Sequence, residues 1–228
     1  MDITISMVRG RICVLFYRNK MNRQGQKMSL SNKFVVLEGL DGSGTTTQLN
    51  KIYDYCRDNG IPCWKTFEPS DGFIGKAARA ILEKRETADP LTLAQLFAAD
   101  RREHLKEIHE RIKKGEWVFC DRYLYSSLAY QSLDLSFETV WDLNRDFPHP
   151  DICFYLECSI ETSTKRRGGR SSGDDIYETE QLQHRVAMNY EKAFETLRDA
   201  PEVLQRIDGE AAPDAITSRI LKILKLDM

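Results

Sequence analysis

A glycine-rich turn carries residues with the types and spacing of a phosphate-binding loop. Gly39, Gly44 and Thr46 match the pattern G-x-x-x-x-G-K-[ST], and Thr45 stands where the pattern requires lysine. In such a turn successive backbone N–H groups converge on phosphate oxygens, helped by the positive end of the following helix. The alternative is a plain turn between a strand and a helix, but the flanking elements and the glycine spacing favour a phosphate site. The turn therefore predicts a phosphate site with a neutral hydroxyl in place of one ammonium group.

A second group of candidate residues follows an apolar run at 117–120. Asp121, Arg122 and Tyr123 leave this run together, and ligands bind at the carboxyl ends of strands in open parallel sheets. Asp121 could hold Mg2+ directly or through water, and Arg122 could grip a phosphate with two hydrogen bonds. Thr46 is placed where the loop hydroxyl normally binds Mg2+. A strand end with a surface ion pair is the alternative.

Two further groups contain aromatic and basic residues. Phe97 and Arg101 are spaced i, i+4, so they share one face of a long helix. Taken alone, this spacing favours core packing for the phenylalanine and a solvated charge for the arginine. The segment 166–175 is polar and glycine-rich and contains Arg166, Arg167 and Arg170. It is either a solvated loop or a lid whose arginines stabilise the charge of a phosphoryl group in transfer.

The elements that must position these residues alternate between short apolar runs and longer amphipathic ones. This alternation predicts an α/β fold with a parallel five-stranded sheet between two helical layers. The predicted strands are 34–37, 63–67, 117–120, 152–156 and 203–207. The predicted helices run from the glycine turn to about 59, then 74–82, 91–113, a helical stretch ending at 145, then 160–166, 179–197 and 213–226.

Composition limits the class of partner. The chain has 228 residues, of which 33 are Lys or Arg and 35 are Asp or Glu. It therefore carries no overall positive charge that would attract nucleic acid. Its 6 cysteines show no C-x-x-C spacing, which indicates a reducing, cytoplasmic setting without a cysteine metal site. We expect neither nucleic acid nor membrane as a partner.

The amino-terminal segment differs from the rest. It is moderately apolar, but Arg9 and Arg11 interrupt it, so it is too short and too charged to cross a bilayer. We expect residues 1–32 to be a non-core extension and residues 33–228 to form a single domain. A start codon assigned too early, with Met28 as the true start, would explain the extension equally well. The intact mass of the natural protein would decide.

Several motifs occur along the chain in a fixed order. They are LEGLDGSG-x-TTQ at 37–48, EP-x-DG-x-IGK at 68–76, LFAADRREH at 96–104, DRYLYSSLAYQ at 121–131, D-x-Y-E at 175–178 and IDG at 207–209. Together they resemble the motifs of bacterial thymidylate kinases, the P-loop enzymes that phosphorylate dTMP with ATP. The resemblance runs from about Phe34 to the carboxyl terminus, and only the loop lysine departs from the family pattern.

The resemblance implies the P-loop NTPase fold with a short arginine-bearing lid, Mg2+ as cofactor, and a homodimer. It implies that Phe97 stacks on the thymine ring, that Arg101 donates to a base carbonyl and that Gln131 bonds the base or sugar edge. Arg79 could reach the acceptor phosphate, although charged helical residues usually face water. The residues expected to bind dTMP are Asp41, Glu68, Arg79, Phe97, Arg101, Arg122, Tyr123, Ser126, Tyr130 and Gln131, with Ser127 in the same segment.

The resemblance likewise implies the donor side of the site. Thr46 and Asp121 are the expected Mg2+ ligands, acting partly through water and the ATP phosphates. The expected catalytic residues are Asp121, Arg122, Arg167 and Arg170. The residues expected to bind ATP are Gly39, Leu40, Asp41, Gly42, Ser43, Gly44, Thr45, Thr46 and Thr47.

Two other functions remain open from the sequence. Thr45 in place of lysine is compatible with a catalytically weak nucleotide-binding protein that keeps the pocket for regulation. A deoxynucleoside kinase would attack with a hydroxyl and would need a base near the strand ends. The triplet Asp121-Arg122-Tyr123 beside an arginine-rich pocket suits an acceptor that already carries phosphate.

Overall fold

The structure is a computed structural model that describes residues 5–8, 11–14, 33–168, 180–197 and 203–227. The chain divides into two compact units, Met1–Asn32 and Lys33–Met228. In the first unit, β1 (Ile5–Val8) and β2 (Arg11–Val14) pair as an antiparallel two-stranded sheet. The sequence patterns do not predict this pair of strands.

The second unit is built on a five-stranded sheet in the order β4-β5-β3-β6-β7, and all four neighbouring pairs are parallel. The predicted parallel sheet is therefore confirmed, with strand ends shifted by one or two residues. The strands are β3 (Phe34–Gly39), β4 (Cys63–Phe67), β5 (Trp117–Asp121), β6 (Ile152–Glu157) and β7 (Leu204–Asp208).

Helices connect these strands and cover the sheet. They are α1 (Thr45–Asp58), α2 (Phe73–Leu82), α3 (Pro90–Lys113), α4 (Leu124–Tyr130), α5 (Phe137–Asn144), α6 (Ile160–Gly168), α7 (Glu180–Phe194) and α8 (Pro213–Leu224). The single helical stretch predicted up to residue 145 is wrong, because α4 and α5 are separate. Ser136 accepts a hydrogen bond from the Thr139 N–H at 3.1 Å and so caps a new helix. Among the described helices, none is long and apolar enough to cross a membrane.

The central strand β3 is buried on both faces, which creates three layers. Leu37 packs into one apolar cluster with Ile52 of α1 and Ile220 of α8. Val36, which points the other way, packs into a second cluster with Ile108 of α3. Successive strand residues face opposite sides of a sheet, so a continuous apolar run suits a strand covered on both faces. The carboxyl end of β3 is thereby held rigidly between two helical layers.

Candidate active site

A cavity of about 540 Å³ opens at the carboxyl edge of the sheet. All ten residues expected to bind the acceptor line it, and so do Thr46 and Asp121. They come from the glycine turn, the ends of β4 and β5, and helices α1, α2, α3 and α4. Segments far apart in the sequence thus meet where parallel strands end, which is where ligands bind in such sheets.

The glycine turn joins β3 to α1 and packs closely against α6. Gly42 and Gly44 adopt left-handed φ values of 90° and 103°. At Gly42 a side chain is also excluded by space, because a Cβ atom there would lie 2.4 Å from the Ser163 carbonyl oxygen. Thr45 is the first residue of α1 and is 6% exposed. The positive end of α1 is thus presented beside the turn.

Thr46 and Asp121 form a pair at the floor of the cavity. The Thr46 hydroxyl donates to Asp121 Oδ2 at 2.5 Å. The other carboxylate oxygen, Asp121 Oδ1, is buried and has no hydrogen-bond partner among the described residues. A buried oxygen of this kind is costly without a partner. A hydroxyl and a carboxylate are the oxygen ligands that Mg2+ prefers, so the pair fits such an ion.

Arg122 is held on several sides. Its backbone adopts a φ of 68°, an uncommon left-handed conformation for a residue with a side chain. One guanidinium nitrogen donates to Asp41 Oδ1 at 2.6 Å, and the other donates to the Gly39 carbonyl oxygen at 2.9 Å. The guanidinium lies 5.2 Å from the centre of the Tyr130 ring. The glycine turn and the end of β5 are thus joined through this arginine.

Arg101 is 1% exposed, so the alternative that it is a solvated charge is wrong. Its guanidinium donates to Glu68 Oε2 at 2.8 Å, to Ser127 Oγ at 3.0 Å and to Asn144 Oδ1. Burial of a charge is tolerated where an opposite charge and hydrogen bonds satisfy it. Sequence patterns did not identify Asn144, which lies 43 residues further along the chain.

Two other predicted residues frame the acceptor side. Phe97 is half-buried and lines the cavity. Arg79 also lines it, donating from Nη2 to the Pro69 carbonyl oxygen at 2.5 Å and lying 5.2 Å from the centre of the Phe67 ring. Arg79 is therefore held against the cavity lining by these contacts and does not simply face water. Gln131 is buried, and its Oε1 has no hydrogen-bond partner among the described residues.

The arginines of α6 lie beside the glycine turn. Arg166 donates to the Gly209 carbonyl oxygen at 2.9 Å and to the Ser43 carbonyl oxygen at 3.4 Å. Arg167 donates to Thr164 Oγ1 at 3.0 Å, and its Cγ would be 3.1 Å from a Cβ placed on Gly42. Arg170 and the D-x-Y-E motif at 175–178 lie outside the described residues.

Sequence reasoning missed a buried carboxyl group next to the turn. Glu38 is fully buried at the end of β3, and burial raises its pKa from 4.5 to about 7 against the opposing effect of hydrogen bonds from Ser126 and Tyr190. A single acidic residue within an otherwise apolar strand was the available signal. Its partner Tyr190 is 152 residues away in the sequence, so no local pattern connects the two.

Comparisons with known proteins agree on one family. The family model described as "Thymidylate kinase" matches residues 37–220. A Treponema pallidum protein named "Putative thymidylate kinase" is 35% identical over 204 residues, covering 87% of this chain and 97% of the relative. A Methanocaldococcus jannaschii protein named "Probable thymidylate kinase" is 44% identical over 164 residues, covering 71% and 81%.

A solved structure gives the same result. The structure of the thymidylate kinase from Candida albicans aligns with this chain with a TM-score of 0.70. The two chains share 25% sequence identity, and the alignment covers 85% of this chain and 91% of that one.

Proposed function

This chain belongs to the thymidylate kinase family, and we infer from this membership that it phosphorylates dTMP to dTDP with ATP. The observation that carries the inference is a single cavity lined by Thr46 and Asp121 as well as by Arg101 and Arg122. The pair proposed to bind Mg2+ and the guanidinium of Arg122 therefore share the space that the donor and acceptor phosphates would occupy, and Arg101 lines the same cavity. The reaction is a phosphotransfer to a phosphate acceptor and supplies the precursor of dTTP.

The acceptor phosphate is already a competent nucleophile, so the site needs no strong base. Catalysis then consists mainly of positioning and charge stabilisation. We assign Arg122 and Arg79 to the acceptor phosphate, and Phe97 and Arg101 to the thymine ring and its carbonyl. Gln131 supplies an oxygen without a partner among the described residues, which suits an N–H of the base.

On the donor side we assign residues 39–47 to the ATP phosphates. Thr46 and Asp121 would hold Mg2+, because their hydroxyl and carboxylate oxygens fit that ion and Asp121 Oδ1 has no partner among the described residues. When bound, Mg2+ neutralises part of the charge on the donor phosphates. The loop N–H groups and the start of α1 stabilise the same charge.

The turn has threonine at the position of the pattern's lysine, and we propose that an arginine of the lid supplies the missing charge. Losing one donor directed at transition-state charge costs about 3 kcal/mol, a rate penalty of roughly a hundredfold or more. Arg167 already packs beside Gly42, and Arg170 follows in the same segment. Replacing either with alanine should lower kcat far more than it changes KM for dTMP. Equal, mild effects on both constants would contradict this role.

A coupled assay that detects the ADP released in the presence of dTMP and ATP tests the proposed function. We expect turnover with dTMP and much less with thymidine, since thymidine offers a hydroxyl and no phosphate. Absence of turnover above background, together with tight ATP binding, would favour a regulatory nucleotide-binding protein. A preference for thymidine would instead identify a deoxynucleoside kinase.

Other properties belong to this proposal on family grounds. We propose a homodimer that acts in the cytoplasm on small molecules, without nucleic acid or membrane partners. We also propose that residues 33–228 form the whole kinase domain and that residues 1–32 are an extension outside it. Assignment to the bacterial branch stays a proposal, because bacterial and archaeal relatives both match.

A further inference from the structure

Glu38 is a buried carboxyl group to which the proposed reaction gives no role. Its Oε2 accepts hydrogen bonds from the Ser126 hydroxyl at 2.5 Å and the Tyr190 hydroxyl at 2.9 Å. Its Oε1 accepts from the backbone N–H groups of Tyr123 at 2.9 Å and Ser126 at 3.2 Å. Glu38 therefore holds Tyr123 and Ser126 at the start of α4, directly after Arg122.

The same two hydroxyl oxygens also face Arg122. Its Nη1 lies 3.2 Å from Ser126 Oγ and 3.2 Å from the Tyr190 hydroxyl oxygen. Each hydroxyl has only one hydrogen, and a guanidinium can only donate. The two oxygens are also 2.9 Å apart. Whether Ser126 donates to Glu38 or to Tyr190, both hydrogens point away from Arg122 and both oxygens face its Nη1. This nitrogen has two hydrogens and also donates to the Gly39 carbonyl oxygen at 2.9 Å, so the two hydroxyl oxygens share the remaining one.

We propose that Glu38 and Tyr190 are positioning residues that hold Arg122 at the acceptor phosphate, an inference that rests on the proposed function. The carboxylate orients both hydroxyl groups as donors towards itself, so they must act as acceptors towards the guanidinium. The single Tyr190 hydroxyl hydrogen is shared between Glu38 and the more distant Gly39 carbonyl oxygen at 3.2 Å, which Arg122 itself contacts. Helix α7 is thereby connected to the phosphate loop and to the arginine at one point.

The substitution Glu38→Gln tests the orientation of these hydrogen bonds while keeping the shape of the side chain nearly constant. The amide of Glu38→Gln has N–H groups that would donate to the hydroxyls and so compete with Arg122 for their oxygen lone pairs. Tyr190→Phe removes a single hydroxyl and leaves the ring in place. Tyr55→Phe is the matched control, because its hydroxyl donates to the Leu226 carbonyl oxygen, which lies outside the cavity lining.

The test measures the binding of dTMP and of thymidine to the full-length protein at pH 8, which is above the Glu38 pKa of about 7. Comparing the two ligands separates a role in positioning Arg122 from general damage to the pocket. Thymidine shares the base and sugar of dTMP but has no phosphate. We expect Glu38→Gln and Tyr190→Phe each to weaken dTMP binding about tenfold, the loss of one or two charge-assisted hydrogen bonds. Thymidine binding should change less than about twofold, and Tyr55→Phe should leave both ligands unaffected.

Two outcomes would contradict the positioning role. Equal weakening of both ligands would mean that the pair only supports the fold of the pocket. Unchanged dTMP binding in Tyr190→Phe would show that Tyr190 does not position Arg122. This variant keeps the test valid if Glu38→Gln does not fold. If the wild-type protein fails to bind dTMP, the proposed function is wrong, and that result is distinct from a failure of the positioning role.

Discussion

Thr45 is the residue at which the proposed phosphate loop, residues 39–47, departs from its sequence pattern. It begins α1 with its side chain largely buried, and the surrounding loop keeps the geometry that a phosphate site needs. Gly42 and Gly44 adopt left-handed φ values, and Thr46 bonds to Asp121. The departure therefore concerns one charge and leaves the shape of the loop in place.

Restoring the lysine measures what that charge contributes. We expect Thr45→Lys to fold normally and to keep kcat at or above the wild-type value, because the loop pattern has lysine at this position and bound phosphates attract it. Steady-state kinetics with dTMP and ATP, alongside a thermal melt, would check this. A tenfold or larger loss of kcat with an unchanged melting temperature would show that the threonine belongs to a different phosphate geometry.

Glu38 gives the free energy of unfolding a pH dependence. Burial raises its pKa to about 7 in the folded protein, whereas in the unfolded chain the value is 4.5. The folded state therefore binds more protons between these values, and the free energy of unfolding falls as the pH rises through this window. The slope approaches about 1.4 kcal/mol per pH unit and vanishes above the folded pKa.

Urea denaturation from pH 4 to 8 would show this decline. Glu38→Gln should flatten it, because the amide does not titrate. Glu103→Gln, which removes an exposed carboxylate paired with Lys106, should leave the decline unchanged. An equally steep decline in Glu38→Gln would assign the effect to other groups.

At the scale of elements, the contact between the phosphate loop and α6 sets the position of the loop. An added Cβ at Gly42 would meet the Ser163 carbonyl oxygen at 2.4 Å, and the φ of 90° is itself unfavourable for alanine. We expect Gly42→Ala to displace the loop and to raise KM for ATP about tenfold or more. The reason is that the backbone N–H groups proposed to bind the ATP phosphates would lose their alignment.

Gly60→Ala is the control for this substitution. Gly60 has a φ of 67°, but no atom lies within 4 Å of a Cβ placed there. It should cost about 1 kcal/mol of stability through the backbone alone and leave KM for ATP unchanged. Comparable kinetic effects in both variants would mean that strain, and not the contact with α6, governs the loop.

Local patterns were sufficient for the strands of the five-stranded sheet and insufficient for the contacts between elements. Apolar runs and glycine stops predicted all five sheet strands of the second unit within two residues, because both signals are local. The break between α4 and α5 was missed, since Ser136 is a weak start signal without proline or glycine. The burial of Arg101 and the partners of Glu38 were missed because they depend on residues 26 to 152 positions away.

At the scale of the whole molecule, the proposed kinase function belongs to the unit Lys33–Met228. The described residues of the cavity and both apolar clusters all lie in this unit. We therefore expect a variant that begins at Met28 to keep the kcat, the KM values and the melting temperature of the full chain.

Deletion from the opposite end is the matched comparison, because it removes a helix that the core needs. Ile216, Ile220 and Leu224 of α8 are buried in one cluster with Ile52 of α1. Loss of such side chains costs about 2–5 kcal/mol each, so removal of residues 213–228 should unfold the protein.

Thermal melts and dTMP kinase assays of the two truncations would check both expectations. A loss of activity in the Met28 variant with an unchanged melting temperature would place part of the site in the extension and overturn the assignment of one kinase domain to residues 33–228.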